Sequence, residues 1–218
     1  ATRISEDYLR ILRFYRFAAR FGDGDLEPVS HVAVIAARQS LKSLSRERIA
    51  DELTKILSLP DPRAIVGQMA ADGIFTVILP ELDPTFAAAL DRLLANESAT
   101  AAAPAALRRL AALLPADAGI ADQVASRLRL STRQRKHLSA ISAYRHDARP
   151  VRQLAHAIGI EAARDARLLG GNESDAAAAV AALDGWTVPT LPVRGGDIVA
   201  RGIAAGPEVA RILQGVEA

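Results

Sequence analysis

The stretch that decides the fold is residues 3–21, RISEDYLRILRFYRFAARF, in a chain of 218 residues. At about 100° per residue, most of its apolar side chains fall within an arc of about 120°, which predicts a helix with one buried face. The members of that arc are Ile4, Tyr8, Ile11, Leu12, Tyr15, Ala18 and Ala19. The polar side carries a stripe in steps of three residues: Asp7, Arg10, Arg13 and Arg16.

Composition extends the helical prediction to the whole chain. There are 45 alanines, and only 4% of the residues are aromatic. Alanine is the best helix former, and the β-branched and aromatic runs typical of strands are nearly absent, so we expect an all-α fold. Beyond residue 80, helices are predicted over 84–96, 104–114, 118–130, 132–146, 150–158, 161–169, 173–184, 196–202 and 207–215, with a loop over 96–104.

Several classes of protein are excluded by what the sequence lacks. There is no cysteine, which excludes disulfides, thiolate zinc sites and a cysteine nucleophile. The four histidines lack the spacing of a metalloprotease zinc site. The longest apolar stretch, 176–183, is far shorter than the roughly 20 residues that span a bilayer, and we expect no secretory leader. We expect a cytoplasmic protein with no membrane partner.

Charge is unevenly distributed along the chain. The net charge is +2, yet residues 126–170 contain 10 basic and 3 acidic residues. A surplus of this size inside a nearly neutral protein is a candidate surface for an anionic partner. The alternative is a solvated helical face without a partner.

The polar stripe of the first helix also allows two interpretations. Asp7 and Arg16 are nine residues apart, which is about 14 Å of axial rise and close to the length of a nucleoside triphosphate. The stripe is therefore a candidate nucleotide-binding face. The alternative is intrahelical pairing of Asp7 with Arg10, which is worth only about 0.2–0.5 kcal/mol.

Three ordered segments resemble one enzyme family. Residues 6–22, EDYLRILRFYRFAARFG, look like the EDxxR motif and its extension in class II tRNA nucleotidyltransferases (CCA-adding enzymes) and the related bacterial poly(A) polymerases. Residues 44–57 resemble the ERIxxEL-K segment of that family, and residues 196–213 resemble its glycine-rich tail. Tyr8 stands where the family usually has proline, which leaves the recognition residues of the motif intact.

The resemblance implies roles for the polar stripe. Asp7 and Arg10 would read the base of CTP or ATP, while Arg13 and Arg16 would help to hold the nucleotide. A carboxylate accepts and a guanidinium donates hydrogen bonds. An acceptor beside a donor matches the amino group and ring nitrogen of cytosine and adenine. It does not match uracil and guanine, which present a carbonyl and an N–H at those positions.

The resemblance also implies an organisation and a reaction. Residues 1–58 would form a neck, 59–130 a body and 131–218 an RNA-binding tail. In the family, a catalytic head with Mg²⁺ directs an RNA 3′-hydroxyl onto the nucleotide α-phosphate, and that head normally precedes the first helix. Asp23-Gly24-Asp25 matches the metal-binding DxD only as text, without a strand or a third carboxylate. We therefore expect no catalytic or metal-binding residue in this chain, and no turnover by the chain alone.

The predicted RNA partner is tRNA. The enzyme would add C, A or both to its 3′ end. The predicted tRNA contacts come from the charge surplus rather than from a motif; they are Arg127, Arg129, Arg133, Arg135, Lys136, Arg145, Arg149 and Arg152. Two other functions stay open: a poly(A) polymerase of the same superfamily, and a helical RNA-binding protein without enzymatic activity.

Overall fold

Helices follow one another through a computed structural model that describes residues 4, 6–21, 26–189 and 195–217. No strand occurs in those ranges, so the predicted all-α fold is confirmed for them. Residues 1–99 contribute α1 (Leu9–Phe21), α2 (Pro28–Ala37), the 3-10 segment η1 (Arg38–Ser43), α3 (Arg46–Leu57), α4 (Arg63–Ala71), α5 (Phe75–Ile78) and α6 (Phe86–Ala99). The rest contributes α7 (Ala106–Ala112), α8 (Ala118–Arg127), α9 (Thr132–Tyr144), α10 (Val151–Ile158), α11 (Ile160–Gly170), α12 (Glu173–Leu183), α13 (Gly195–Val199) and α14 (Pro207–Glu217).

Side-chain caps explain several of the helix starts. Ser45 accepts a hydrogen bond from the Arg48 amide at the start of α3, and Asn172 does the same for the Asp175 amide at the start of α12. Ser131 and Gln134 form a full capping box before α9. These bonds satisfy amides that have no partner inside the helix, which is why short polar residues mark the boundaries.

The first helix buries the face that its periodicity predicts. Ile11, Leu12 and Tyr15 are fully buried, and α1 packs against α3 and α4. From α3, Ile49 and Leu53 enter the same core. The consequence for function is that the polar stripe lies beside α3, whose contacting residues come 36 to 41 positions later in the chain.

The loop predicted over 96–104 is wrong in its first part, because α6 continues to Ala99. Asn96 and Glu97 are buried in that last turn. The Asn96 amide donates to the carbonyls of Leu168 (2.8 Å) and Gly171 (2.9 Å). Long-range hydrogen bonds therefore hold the turn in the helix, although its local composition favours a loop.

Glu97 is the centre of a buried ionic cluster. Arg108 donates to one of its carboxylate oxygens (2.7 Å) and Arg109 to the other (2.7 Å). Arg109, 1% exposed, also donates to the carbonyls of Leu57, Leu59 and Pro60 at the end of α3. The cluster therefore ties α6 and α7 to the C-terminal end of the helix that lies beside α1.

A close backbone approach joins α11 to the end of α9. A Cβ on Gly170 would stand 1.6 Å from the carbonyl oxygen of Arg145. No side chain fits there, so glycine is required at this contact. By contrast, nothing lies within 4 Å of a Cβ on Gly67 in α4.

Backbone contacts divide the chain into two units, residues 1–186 and 187–218. The first contains helices α1 to α12. In the second, α13 contacts α14, and Ile198 and Val209 are buried. The predicted boundaries of neck, body and tail, after residues 58 and 130, both fall between helices and stay predictions.

Candidate nucleotide and nucleic-acid interface

Asp7 is held as an oriented carboxylate at the start of α1. One of its oxygens accepts a hydrogen bond from the Leu9 amide (3.1 Å). Arg48, on α3, donates to both of its oxygens (3.1 and 2.9 Å). The hydrogen bond from the Leu9 amide, together with the nearby Arg48 guanidinium, holds the pKa of Asp7 below its usual range. Asp7 is therefore an ionised hydrogen-bond acceptor at neutral pH.

Arg10 lies in the first turn of α1, three residues after Asp7, which precedes the helix. Its backbone amide donates to the Asp7 carbonyl (3.1 Å), and its guanidinium forms an ion pair with Glu6 (3.1 Å). The Arg10 side chain is 42% exposed and that of Asp7 is 27% exposed. An acceptor and a fork of donors thus stand side by side where a ligand in solvent can reach them.

Arg13 and Arg16 converge on a single buried carboxylate, that of Glu52 in α3. The Nε of Arg16 donates to Glu52 at 2.8 Å and the Nε of Arg13 at 3.5 Å. Lys55 is also 3.5 Å from Glu52, whose side chain is 1% exposed. Since each Nε faces Glu52, the rest of each guanidinium is left for other partners.

Glu52 and Arg48 contact residues of the polar stripe, and neither was assigned a role from the sequence. Both lie in the second segment of the family resemblance, which gave them no role. A local signal does exist for Glu52, because it stands between Ile49 and Leu53 on the buried face of α3. A carboxylate on an apolar helix face needs a cationic partner. The sequence does not show which cation that is.

A cleft of about 840 Å³ lies beside the end of the polar stripe. Its cationic lining comes from Arg16 and Arg20 of α1 and from Lys55 of α3. Asp61 also lines the cleft, but Arg63 neutralises it with an ion pair at 2.5 Å. Arg16 and Lys55 are likewise paired, with Glu52 (2.8 Å) and Asp51 (2.5 Å), so Arg20 is the lining cation that has no carboxylate partner among the described residues.

A hydrogen-bond network fixes α1 from its buried side. Tyr15 donates to the Asp72 carboxylate (2.8 Å), which also contacts His31 Nε2 (2.6 Å) and accepts from the Gln68 amide (2.9 Å). Burial and the hydrogen bond to Asp72 raise the pKa of Tyr15, so its hydroxyl stays a donor. The network holds the stripe in place from behind.

Most of the predicted RNA-contact residues lie at the surface, and several are neutralised there. Arg129 and Lys136 are exposed and have no charged partner within the described ranges. Arg152 donates to the Ala182 carbonyl and lies over the Trp186 ring. Four others form ion pairs: Arg127 with Glu81, Arg133 with Glu161, Arg135 with Asp122, and Arg149 with Asp147.

Arg145 is placed differently from the other seven. It is only 6% exposed, and its guanidinium donates to the carbonyls of Ala111 (3.2 Å) and Leu114 (2.6 Å). Burial lowers the pKa of its side chain. In this position Arg145 connects α9 to the end of α7, and its charge does not reach the surface.

The described ranges contain neither a metal-binding cluster nor a membrane-spanning helix. No group of three or more His, Asp or Glu side chains there could hold a metal ion. Asp23-Gly24-Asp25, the one textual match to a metal motif, lies outside those ranges. No helix in the described part of the chain is long and apolar enough to cross a membrane.

Comparisons with known proteins agree with this architecture. Residues 25–86 match the family model described as the probable RNA and SrmB-binding site of polymerase A. The mitochondrial CCA tRNA nucleotidyltransferase 1 of Mus musculus is 27% identical over 97% of this chain and 51% of its own length. A CCA-adding enzyme solved with CTP has a TM-score of 0.67 at 17% identity, covering 97% of this chain and 55% of that structure.

The Thermotoga maritima CCA-adding enzyme complexed with tRNA matches with a TM-score of 0.64 at 17% identity, over 96% of this chain and 56% of that structure. This chain thus spans about half the length of these proteins. Its helices follow their fold, as the sequence motifs predicted. In sequence and in fold, therefore, the chain resembles the helical neck, body and tail of the class II tRNA nucleotidyltransferases and bacterial poly(A) polymerases.

Proposed function

We propose that this chain selects CTP and ATP and binds tRNA as the helical part of a nucleotidyltransferase that adds C, A or both to tRNA 3′ ends. The observation that carries the proposal is that an ionised, oriented Asp7 and Arg10 lie three residues apart at the start of α1 and can both be reached from solvent. The fold shared with CCA-adding enzymes solved with CTP and with tRNA supports it.

Base selection follows from the polarity of these two side chains. Asp7 accepts from the exocyclic amino group of cytosine or adenine, and Arg10 donates to the adjacent ring nitrogen. Uracil and guanine present a carbonyl and an N–H in the reverse order. They would set a carbonyl against the carboxylate and an N–H against the guanidinium, and a polar site rejects such a mismatch strongly.

The next two arginines are proposed to hold the phosphates. Arg13 and Arg16 both direct Nε at Glu52, so their free N–H groups keep a fixed direction. Preorganised guanidinium forks suit phosphate oxygens. Glu52 is thus a positioning residue that acts through the two arginines.

The RNA is proposed to lie on the exposed basic residues that belong to the first unit. Arg129, Arg133, Arg135 and Lys136 lie at the end of α8 and on the first turns of α9, and Arg149 and Arg152 follow at the start of α10. Such charge binds the RNA backbone without regard to sequence. Two predicted contacts are left out of this surface: Arg145, because its guanidinium is buried, and Arg127, because it is only partly exposed and pairs with Glu81.

The chemical step is assigned to a catalytic domain with Mg²⁺ outside the described residues. None of those residues forms a metal site, so no step is assigned to a metal here. We expect the chain alone to incorporate no nucleotide when Mg²⁺ is supplied. Nucleotide incorporation by the purified chain would show that the active centre lies within this chain.

Nucleotide titrations of the chain test base selection. Calorimetry with CTP, ATP, UTP and GTP is expected to show tighter binding of the first two. Asp7→Ala and Arg10→Ala are expected to abolish that preference, whereas the exposed Glu47→Ala on α3 is the control and is expected to keep it. An unchanged preference in Asp7→Ala would exclude the base-reading role.

Charge reversal tests the RNA surface. The triple change Arg133→Glu, Arg135→Glu and Lys136→Glu is expected to weaken tRNA binding at least tenfold and to lower the salt slope by about two. Reversal of two exposed cations outside residues 126–170, Lys42 and Arg92, is the control. Equal loss of tRNA affinity in both variants would exclude the basic residues of 126–170 as the tRNA contact.

A poly(A) polymerase is the second candidate, because the family model that matches residues 25–86 is described from polymerase A. The two functions differ in their RNA. A chain from a CCA-adding enzyme is expected to bind tRNA more tightly than an unstructured RNA of the same length, since its contact is to shape as well as charge. Equal affinity for both RNAs favours the polymerase.

A further inference from the structure

Two phenylalanines at the end of α1 are exposed to solvent. Phe17 is 47% and Phe21 is 73% exposed, while Tyr15 in the same helix is completely buried. The two rings stack on each other with centroids 6.0 Å apart and planes 26° apart. They form one exposed aromatic pair rather than two isolated residues.

A guanidinium lies over each ring. The Arg16 guanidinium lies 4.5 Å from the centroid of Phe17, and that of Arg20 lies 5.3 Å from the centroid of Phe21. Arg20 is exposed and pairs with no carboxylate of the described residues. Arg16 and Arg20 also line the cleft of about 840 Å³, so the aromatic surface adjoins a place for phosphates.

The position of the rings on α1 separates them from the base-reading pair. At about 100° per residue, Phe17 and Phe21 lie within about 20° of Arg10 around the helix axis. Phe21 is eleven residues beyond Arg10, or about 16 Å along the axis. A base held by Asp7 and Arg10 does not reach that far, so the rings are available to a different base.

We propose that Phe17 and Phe21, flanked by Arg16 and Arg20, are a stacking site for an unpaired base of an RNA strand, whose phosphates enter the adjoining cleft. Every base has a flat face, and aromatic platforms beside cations are how proteins bind single strands without reading sequence. This inference rests on the proposed function in one respect: the proposed function requires the 3′ end of the RNA to run along α1 towards the nucleotide.

The test is binding of single-stranded RNA decamers of adenosine or cytidine, with 2-aminopurine as a fluorescent reporter of stacking. Stacking on one aromatic is worth about 1–3 kcal/mol, so Phe21→Ala is expected to weaken binding at least fivefold and to reduce the change in reporter fluorescence. Phe21→Trp is expected to restore both. Val32→Ala, another exposed apolar position on α2, is the matched control and is expected to bind as the unchanged chain does.

Phe21→Leu separates stacking from apolar contact. Leucine keeps the apolar surface that a protein partner would cover, but it has no flat face for a base. Loss of RNA affinity in Phe21→Leu with recovery in Phe21→Trp supports the proposal. RNA affinity in Phe21→Leu and Phe21→Ala equal to that of the unchanged chain overturns it and favours a protein partner for this surface.

Asp7→Ala distinguishes this inference from the proposed function. It is expected to lose the preference for CTP over UTP and to keep decamer binding. If decamer binding depends on Phe21 while no nucleotide preference exists, the stacking site stands and base selection by Asp7 is wrong. If a nucleotide preference exists and decamer binding is insensitive to position 21, base selection stands and the stacking site is wrong.

Discussion

Replacing Glu52 with glutamine removes the negative charge that Arg13 and Arg16 share and leaves the shape of the side chain almost unchanged. The Glu52 side chain is 1% exposed, and that of Arg16, which donates to it at 2.8 Å, is 15% exposed. A hydrogen bond to a charged group is worth about 1.5–3 kcal/mol, and breaking a buried ion pair costs about 3–5 kcal/mol. Glutamine keeps one carbonyl acceptor, so we expect a loss of about 3 kcal/mol.

For a chain of this size, 1 kcal/mol corresponds to about 2–4 °C in Tm, so Glu52→Gln is expected to lower Tm by about 6–12 °C. Urea unfolding followed by circular dichroism measures the free energy directly. Glu47→Gln is the matched control, because it is the same substitution at an exposed position of α3 and is expected to change stability by less than about 0.5 kcal/mol.

A loss below about 1 kcal/mol in Glu52→Gln would refute the reasoning, since it would mean that the three cations do not depend on this carboxylate. A second measurement tests the link to function. With Arg13 and Arg16 no longer held, CTP affinity is expected to fall even at low temperature, where the variant is still folded. Unchanged affinity there would remove the positioning role and leave Glu52 as a purely structural residue.

Three further predictions test the framework that supports the site. Gly170→Ala is expected to cost several kcal/mol because its Cβ meets a backbone carbonyl, whereas Gly67→Ala is expected to stabilise by about 0.5–1 kcal/mol; a comparable effect of both in urea unfolding would contradict the close approach. Arg109→Met is expected to cost at least about 3 kcal/mol because it leaves buried carbonyls unpaired, while Arg92→Met at an exposed position is expected to cost under about 0.5 kcal/mol. Asp72→Asn is expected to lower stability at pH 7 and to flatten its decline below about pH 4, measured by unfolding from pH 7 to 2.5; an equally steep acid decline would argue against the network.

The sign of the pH effect follows from the network around Asp72. Burial raises the pKa of Asp72, but the hydrogen bonds from His31, Tyr15 and Gln68 outweigh it and hold the pKa below the ordinary 3.8. The folded state therefore binds this proton less readily than the unfolded state. Its contribution to stability is complete above the unfolded pKa and is lost as pH falls through the folded pKa.

The sequence was most informative about elements whose signal is local. The buried face of α1 was predicted at its centre, Ile11, Leu12 and Tyr15, because 3.6-residue periodicity depends only on neighbours along the chain. Leu9, outside the predicted arc, is buried as well. The caps at Ser45, Ser131 and Asn172 are local in the same sense, because each joins residues three apart in the chain. The loop over 96–104 failed because the composition of that segment is polar and small, while Asn96 and Glu97 are held in α6 by partners 11 to 75 residues away.

The sequence by itself therefore determined that the chain is helical, that α1 carries Asp7, Arg10, Arg13 and Arg16 on one polar side, and which enzyme family the chain resembles. These follow from spacing and residue type, which need no knowledge of neighbours in space. Only the tertiary structure decided that Arg48 and Glu52 of α3 hold that stripe, and that Arg145 is buried while Phe21 is exposed. Burial and pairing depend on which helices meet, and the meeting of helices is a property of the packed core rather than of any one segment.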